Sequence, residues 1–200
     1  MKIYLIRHGQ TTMNALGKIF CGSTDVHLSE KGLLDTSRIT NNECWKDIEH
    51  IYITPLIRTH ETANAIFPPN IPRTIIKEFA EMDFGSYEGK FITEENKNEL
   101  PFYNWTHNPS ECEFPDGDNL LQHGQDAYNK LMEIIKKNEH ENIVIVSHAT
   151  TIRLILSLLI TNSVDYFKNI PCDNSCVTLL TYNGNEIEIK YINSKLNKKE

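Results

Sequence analysis

"LIRHGQTTMN", residues 5–14, is the stretch on which the fold turns. An apolar, strand-like start runs straight into Arg7, His8 and Gly9, then into small and polar residues ending at Asn14. A strand end needs turn residues, and Gly9 supplies one. It does not need a guanidinium and an imidazole side by side. Two readings stand open here. Arg7 and His8 are incidental polar caps on a buried strand, or the chain presents cationic chemistry at the edge of a sheet.

Further strand-like runs are "HIYIT" (50–54), "RTIIKE" (73–78), "NIVIVS" (142–147), "CVTLLTY" (176–182) and "EIEIKYI" (186–192), besides "KIYLI" (2–6). Helix-like segments lie between most of them. One opens at Ser29 as N-cap, one follows Pro55, one spans about 119–138, and one runs from Thr150 through "TIRLILSLLI". The runs at 2–6 and 142–147 are almost continuously apolar, the pattern of parallel strands covered on both faces. The last two, separated by "NGN", read as a hairpin. These features predict an α/β fold with a mostly parallel sheet and an antiparallel edge.

Two hundred residues suit one domain, with room for a modest insertion. A net charge of −7 argues against a nucleic-acid partner or an anionic membrane surface, both of which call for a basic field. "MKIYLI" is too short for a signal-peptide core, and "LILSLLI" (154–160) is too short to span a membrane. The five cysteines are odd in number and lack zinc-ligand pairs, and no HExxH or CxxC occurs. Reduced thiols, a cytoplasmic location and no metal are therefore expected. The tail "NSKLNKKE" is expected to fray. Nothing in the sequence sets the oligomeric state.

In open parallel sheets, sites form beyond the carboxyl ends of the strands. Beyond the first run come Arg7 and His8; beyond the second, in "TPLIRTHETA", comes Arg58; beyond the fourth, in "IVSHATTIR", comes His148. Each has a bland explanation: a capping histidine, an arginine paired with Glu61, a histidine ending a core strand. Together they are better explained by a site for an anion needing several donors, and phosphate is the natural candidate. Each charge-assisted bond contributes about 1.5–3 kcal/mol.

"LIRHGQTTMN", "TPLIRTHETA", "FAEMDFGSYEG" and "VSHATTIR" resemble, in order, the four motif blocks of the histidine phosphatase superfamily, the phosphoglycerate mutase-like enzymes. The resemblance implies a three-layer α/β/α sandwich, a single domain over 1–200, with a small lid inserted at about 79–118. It makes His8 a nucleophile that becomes a phosphohistidine, with Arg7, Arg58 and His148 binding the phosphoryl oxygens. An imidazole attacks only when neutral, and a carbonyl such as that of Gly9 would fix its tautomer. Glu81 matches the general acid, a role that calls for a carboxyl kept from water by Phe79, Met82 and Phe84. Asn14, with Cys21, Gly22 and Ala149, completes the implied substrate-binding set, and neither cofactor nor metal is implied. His27, His50, His60, His107, His123 and His140 match no family position and read as surface or packing residues.

Two blocks depart from the family pattern. Ala149 and Thr150 stand where a glycine pair or Gly-Asn is usual, and a side chain there would crowd the phosphate. In "FPDGDNL", Asp118 and Asn119 replace Glu and Ser. The insert carries many aromatics, Tyr103 and Trp105 among them, and ten acidic residues against two basic ones, Lys90 and Lys97. An acidic, aromatic lid implies a bulky leaving group without a second anion. That favours the phosphatase branch and a small-molecule phosphomonoester, with α-ribazole 5′-phosphate as the expected substrate. A 2,3-bisphosphoglycerate-dependent mutase is the alternative. An inactive phospho-ligand binding module is a third reading, supported only by Thr150.

Overall fold

Six strands form one sheet in the computed structural model, which describes residues 1–40, 42–93, 98–137 and 139–196. They are β1 (Lys2–Arg7), β2 (His50–Ile53), β3 (Arg73–Ile75), β4 (Asn142–Ser147), β5 (Val177–Tyr182) and β6 (Ile187–Ser194). Their order is β3-β2-β4-β1-β5-β6. The pairs β1–β4, β2–β4 and β2–β3 are parallel, whereas β5 is antiparallel to both β1 and β6. The mostly parallel sheet with an antiparallel hairpin edge is as expected. The expected strand at 73–78 is shorter: after Ile75 the chain enters a 3-10 turn at Lys77–Phe79.

The helices are α1 (Thr12–Leu16), α2 (Glu30–Ser37), α3 (Ile57–Ile66), α4 (Leu100–His107), α5 (Leu120–Lys137) and α6 (Ala149–Thr161). Ser29 caps α2 by accepting from the Gly32 N–H. In α5, Leu120, Gly124, Ala127, Leu131, Ile134 and Ile135 are buried, one stripe at helical spacing. Strand side chains alternate between the two faces. Ile3, Leu5, Ile143 and Ile145 meet α5 and α6, while Tyr4, Ile6, Val144 and Val146 meet Ala63 and Ile66 of α3. Helices thus cover both faces, making three layers.

A third apolar cluster lies outside this core. Phe20, Met82, Phe84, Tyr87, Phe102 and Phe114 pack there with Leu154 of α6 and Phe167. It gives the insert between β3 and β4 its own core beside the sheet's carboxyl edge. Among the described residues, no helix is long and apolar enough to cross a membrane. The end of the tail, 197–200, lies outside the described residues, as do Glu94, Glu95 and Lys97 from the insert's charge count.

Candidate active site

The register Arg7↔Ser147 ends β1 and β4 side by side, and the His8 N–H donates to the Ser147 carbonyl at 3.0 Å. The next residue of each strand is therefore a histidine beside a histidine. The rings of His8 and His148 lie 5.1 Å apart between centroids. His8 Nδ1 is 2.7 Å from the Gly9 carbonyl oxygen, which can only accept. Nδ1 therefore carries the proton and Nε2 the lone pair. Burial, then the charges of Arg7 and Arg58, hold the His8 pKa well below 6.5 despite the Gly9 bond.

Arg58, in the first turn of α3, has no accessible surface. Its Nε donates to His148 Nδ1 at 3.1 Å, and its terminal nitrogens donate to the carbonyls of Thr24 and Gly22 at 2.9 and 2.7 Å. His148 is equally sealed, and its Nε2 pairs with Thr54 Oγ1 at 3.0 Å. Both ring nitrogens of His148 are thus occupied within the protein. Burial and the neighbouring Arg58, His8 and Arg7 hold its pKa well below 6.5. The bland alternative, Arg58 paired with Glu61, does not occur; Glu61 instead holds His27 and the Leu28 N–H.

The loop that receives Arg58 is pinned from the other side. Glu88 accepts from the backbone N–H groups of Gly22, Ser23, Thr24 and Phe84 and from Thr24 Oγ1. Gly22 serves here through its backbone, and a Cβ at this position would collide with the Met82 carbonyl. Asn14 Oδ1 accepts from the Thr11 N–H and from Asn174, which also donates to the His8 carbonyl.

Glu81 sits at the start of α6. Its carboxylate accepts from the N–H groups of Met82, Thr150 and Thr151 and from Thr151 Oγ1, at 3.2–3.4 Å. Thr150 therefore contributes an N–H to Glu81, whatever its side chain does in the cleft. Of the residues expected to shield Glu81, Met82 and Phe84 pack in the insert's cluster, but Phe79 belongs to the main core. His123, read as a surface or packing residue, lies within this network: its Nε2 is 2.9 Å from Thr151 Oγ1 and its Nδ1 3.6 Å from Asp118. Asp118 accepts from the Asp83 N–H, and Asn119 from the Gln122 N–H at the start of α5. The two departures in "FPDGDNL" thus brace the Glu81 loop and cap a helix.

A cleft of about 320 Å³ opens over His8. Its walls include Arg7, His8, Asn14, Cys21, Glu81, Ala149 and Thr150, so most of the expected set converges. Arg58, His148 and Gly22 lie beneath it. Phe20, Phe84, Phe102 and Trp105 form an aromatic wall. Tyr103 does not contribute, being exposed and stacked on His107. Among the described residues, the expectation of an acidic lid facing the leaving group is corrected. Among the described residues Glu81 is the only acid in the walls, and Lys18 and Arg153 join Arg7 as cations. Glu88 is bonded to the loop, Glu99 to the Tyr87 hydroxyl and Asp83 to the Gly85 N–H. Their carboxylates serve structure. Among the described residues no three His, Cys, Asp or Glu side chains converge as a metal cage, and all five cysteines are free.

A three-layer α/β fold that gathers two histidines, two arginines and a carboxylate at the carboxyl ends of adjacent parallel strands is that of a phosphatase. Residues 3–195 match the model of the histidine phosphatase superfamily, branch 1. The chain belongs to that superfamily. A protein named putative phosphoserine phosphatase 2, from Hydrogenobacter thermophilus, is 28% identical over 96% of this chain and 95% of its own. A phosphoserine phosphatase from Entamoeba histolytica, solved in complex with phosphoserine, is 26% identical with a TM-score of 0.86, covering 97% of each chain. A putative α-ribazole-5′-phosphate phosphatase from Escherichia coli reaches a TM-score of 0.87 at 21% identity, over 100% of this chain and 99% of that one. That last likeness is one of fold.

Proposed function

We propose that the protein hydrolyses small organic phosphomonoesters through a phosphohistidine on His8. The observation that carries this reading is the bond from His8 Nδ1 to the Gly9 carbonyl, which leaves an unprotonated Nε2 at the floor of a cationic cleft. Nε2 attacks phosphorus and the bond to the leaving oxygen breaks. The electron pair departs with that oxygen, which takes a proton from Glu81. Water then attacks phosphorus, Glu81 accepts its proton, the P–N bond returns its pair to Nε2, and inorganic phosphate leaves. Arg7 and Asn14 meet the phosphoryl oxygens from the walls, and Arg58 and His148 act from beneath. Preorganised charge of this kind dominates phosphoryl transfer. Residues 79–118 act as the lid, excluding water.

Two leaving groups have support. The aromatic wall favours a nucleoside-like group such as that of α-ribazole 5′-phosphate. The relatives at 26–28% identity favour a phosphorylated hydroxy acid such as phosphoserine. The test is a turnover panel of phosphomonoesters with EDTA present, in wild type and His8→Ala. Phosphate release by wild type alone is expected. Activity retained in His8→Ala, or abolished in wild type by EDTA, overturns the mechanism. Conversion of 3-phosphoglycerate to 2-phosphoglycerate with 2,3-bisphosphoglycerate present, faster than phosphate release, makes the protein a mutase.

A further inference from the structure

We propose that Lys18 and Arg153 form a second anion-reading pair in the cleft, selecting phosphomonoesters whose leaving alcohol carries a carboxylate. This rests on the phosphatase reading above and deepens it. Arg153 lies one turn beyond Ala149 on α6, about 6 Å further along the helix. Its side chain lines the cleft together with Ala149 and Thr150 of the helix's first turn. Its Nε is closed to solvent and has no hydrogen-bond partner, and no acid among the described residues pairs with it. Arg7 Nε is in the same condition. One nitrogen of each guanidinium is thus buried without a partner, although a terminal nitrogen of Arg7 donates to the Cys172 carbonyl at 2.6 Å, and an anion bound in the cleft would offset the cost of both positive charges. The transferred phosphoryl group answers Arg7. Arg153 calls for another anion on the same substrate.

Lys18 lines the same cleft. The Ile92 N–H donates to its carbonyl at 2.8 Å, and its ammonium has no partner among the described residues. A guanidinium and an ammonium lining one cleft beside aromatic rings favour a planar anion that takes the guanidinium in bidentate fashion and the ammonium as well. A carboxylate fits. The cleft, about 320 Å³, is near the lower end of ordinary ligand sites, which suits a short hydroxy-acid phosphate.

The test uses substrate pairs that differ at the carboxylate: O-phosphoserine against O-phosphoethanolamine, and 3-phosphoglycerate against glycerol 3-phosphate. Wild type should favour the carboxylate member by about tenfold or more in kcat/KM, and Arg153→Gln or Lys18→Gln should collapse the ratio toward one. A wild-type ratio near one, or a ratio that survives the double substitution, overturns the proposal. Should Arg153→Gln fail to fold, Lys18→Gln at the exposed rim carries the comparison. Calorimetric binding of the same pairs to His8→Ala separates the two readings. Preference for the carboxylate ligand without turnover in wild type would sink the phosphatase reading and keep this one. Turnover without preference in either assay would do the reverse.

Discussion

An imidazole almost sealed from water beside two guanidinium groups is held neutral at a cost to folding, and packing alone gives no reason for one at residue 8. His8→Ala should therefore lose at least about a thousandfold in kcat while its melting temperature falls little. Mass spectrometry after an alkaline quench should find a phosphoryl group on wild type and none on the variant. A phosphorylated variant would move the nucleophile elsewhere. For Glu81→Gln, alkyl phosphates should slow by about a hundredfold or more, and p-nitrophenyl phosphate far less, because a nitrophenolate departs without protonation. Equal losses on both would remove Glu81 as the acid. His8, Arg7, Arg58, Glu81 and His148 were legible because strand ends and motif blocks mark them locally. Lys18 in "LGKIF" carries no such mark, and Arg153 closes the block "VSHATTIR" without a role read from it. Only the pairing of the segments around Phe20 and Lys90, and the face α6 turns to the cleft, give them meaning.

Elements matter here through what they pin. The loop from Cys21 to Thr24 has no regular structure, yet its carbonyls aim Arg58, and Glu88 alone gathers its N–H groups. Removing that carboxylate leaves several donors unsatisfied, each charge-assisted bond being worth about 1.5–3 kcal/mol. Glu88→Ala should therefore destabilise the fold by about 3 kcal/mol and weaken inhibition by vanadate. Chemical denaturation and an inhibition constant check both. Unchanged inhibition would show that Arg58 holds its position without the loop. Strands β1, β2 and β4–β6 and helices α2, α3, α5 and α6 were readable from periodicity and flanking caps. Helix α1 was not, being too short to nucleate alone; the reciprocal bonds of Thr11 and Asn14 close it. Nor was α4, whose burial is limited to Pro101 and Phe102 and whose start follows a polar run.

For the whole molecule, the buried histidines set how stability varies with pH. Burial holds the pKa values of His8, His148 and His123 below 6.5, in His123 against the opposing pull of Glu81, Asp118 and Asp126. Below that ordinary value the unfolded chain takes up protons that the folded chain refuses, so stability falls as pH falls. Their contribution is intact above pH 6.5 and declines until the folded values are reached. Each histidine adds a slope of up to about 1.4 kcal/mol per pH unit. His27, raised by Glu61, acts in the opposite sense, but it is fully exposed and the effect is screened. Asp35 and Glu133, lowered by their lysine partners, add losses only as pH drops below their ordinary 3.8 and 4.5. The melting temperature should therefore decline steadily from pH 7 to pH 5, before these carboxylates titrate, and His8→Asn should make the decline shallower by one proton's worth. A melting temperature constant across that interval would mean that the histidines charge as readily in the fold as outside it. The neutral His8 that the proposed attack on phosphorus requires would then be lost as well.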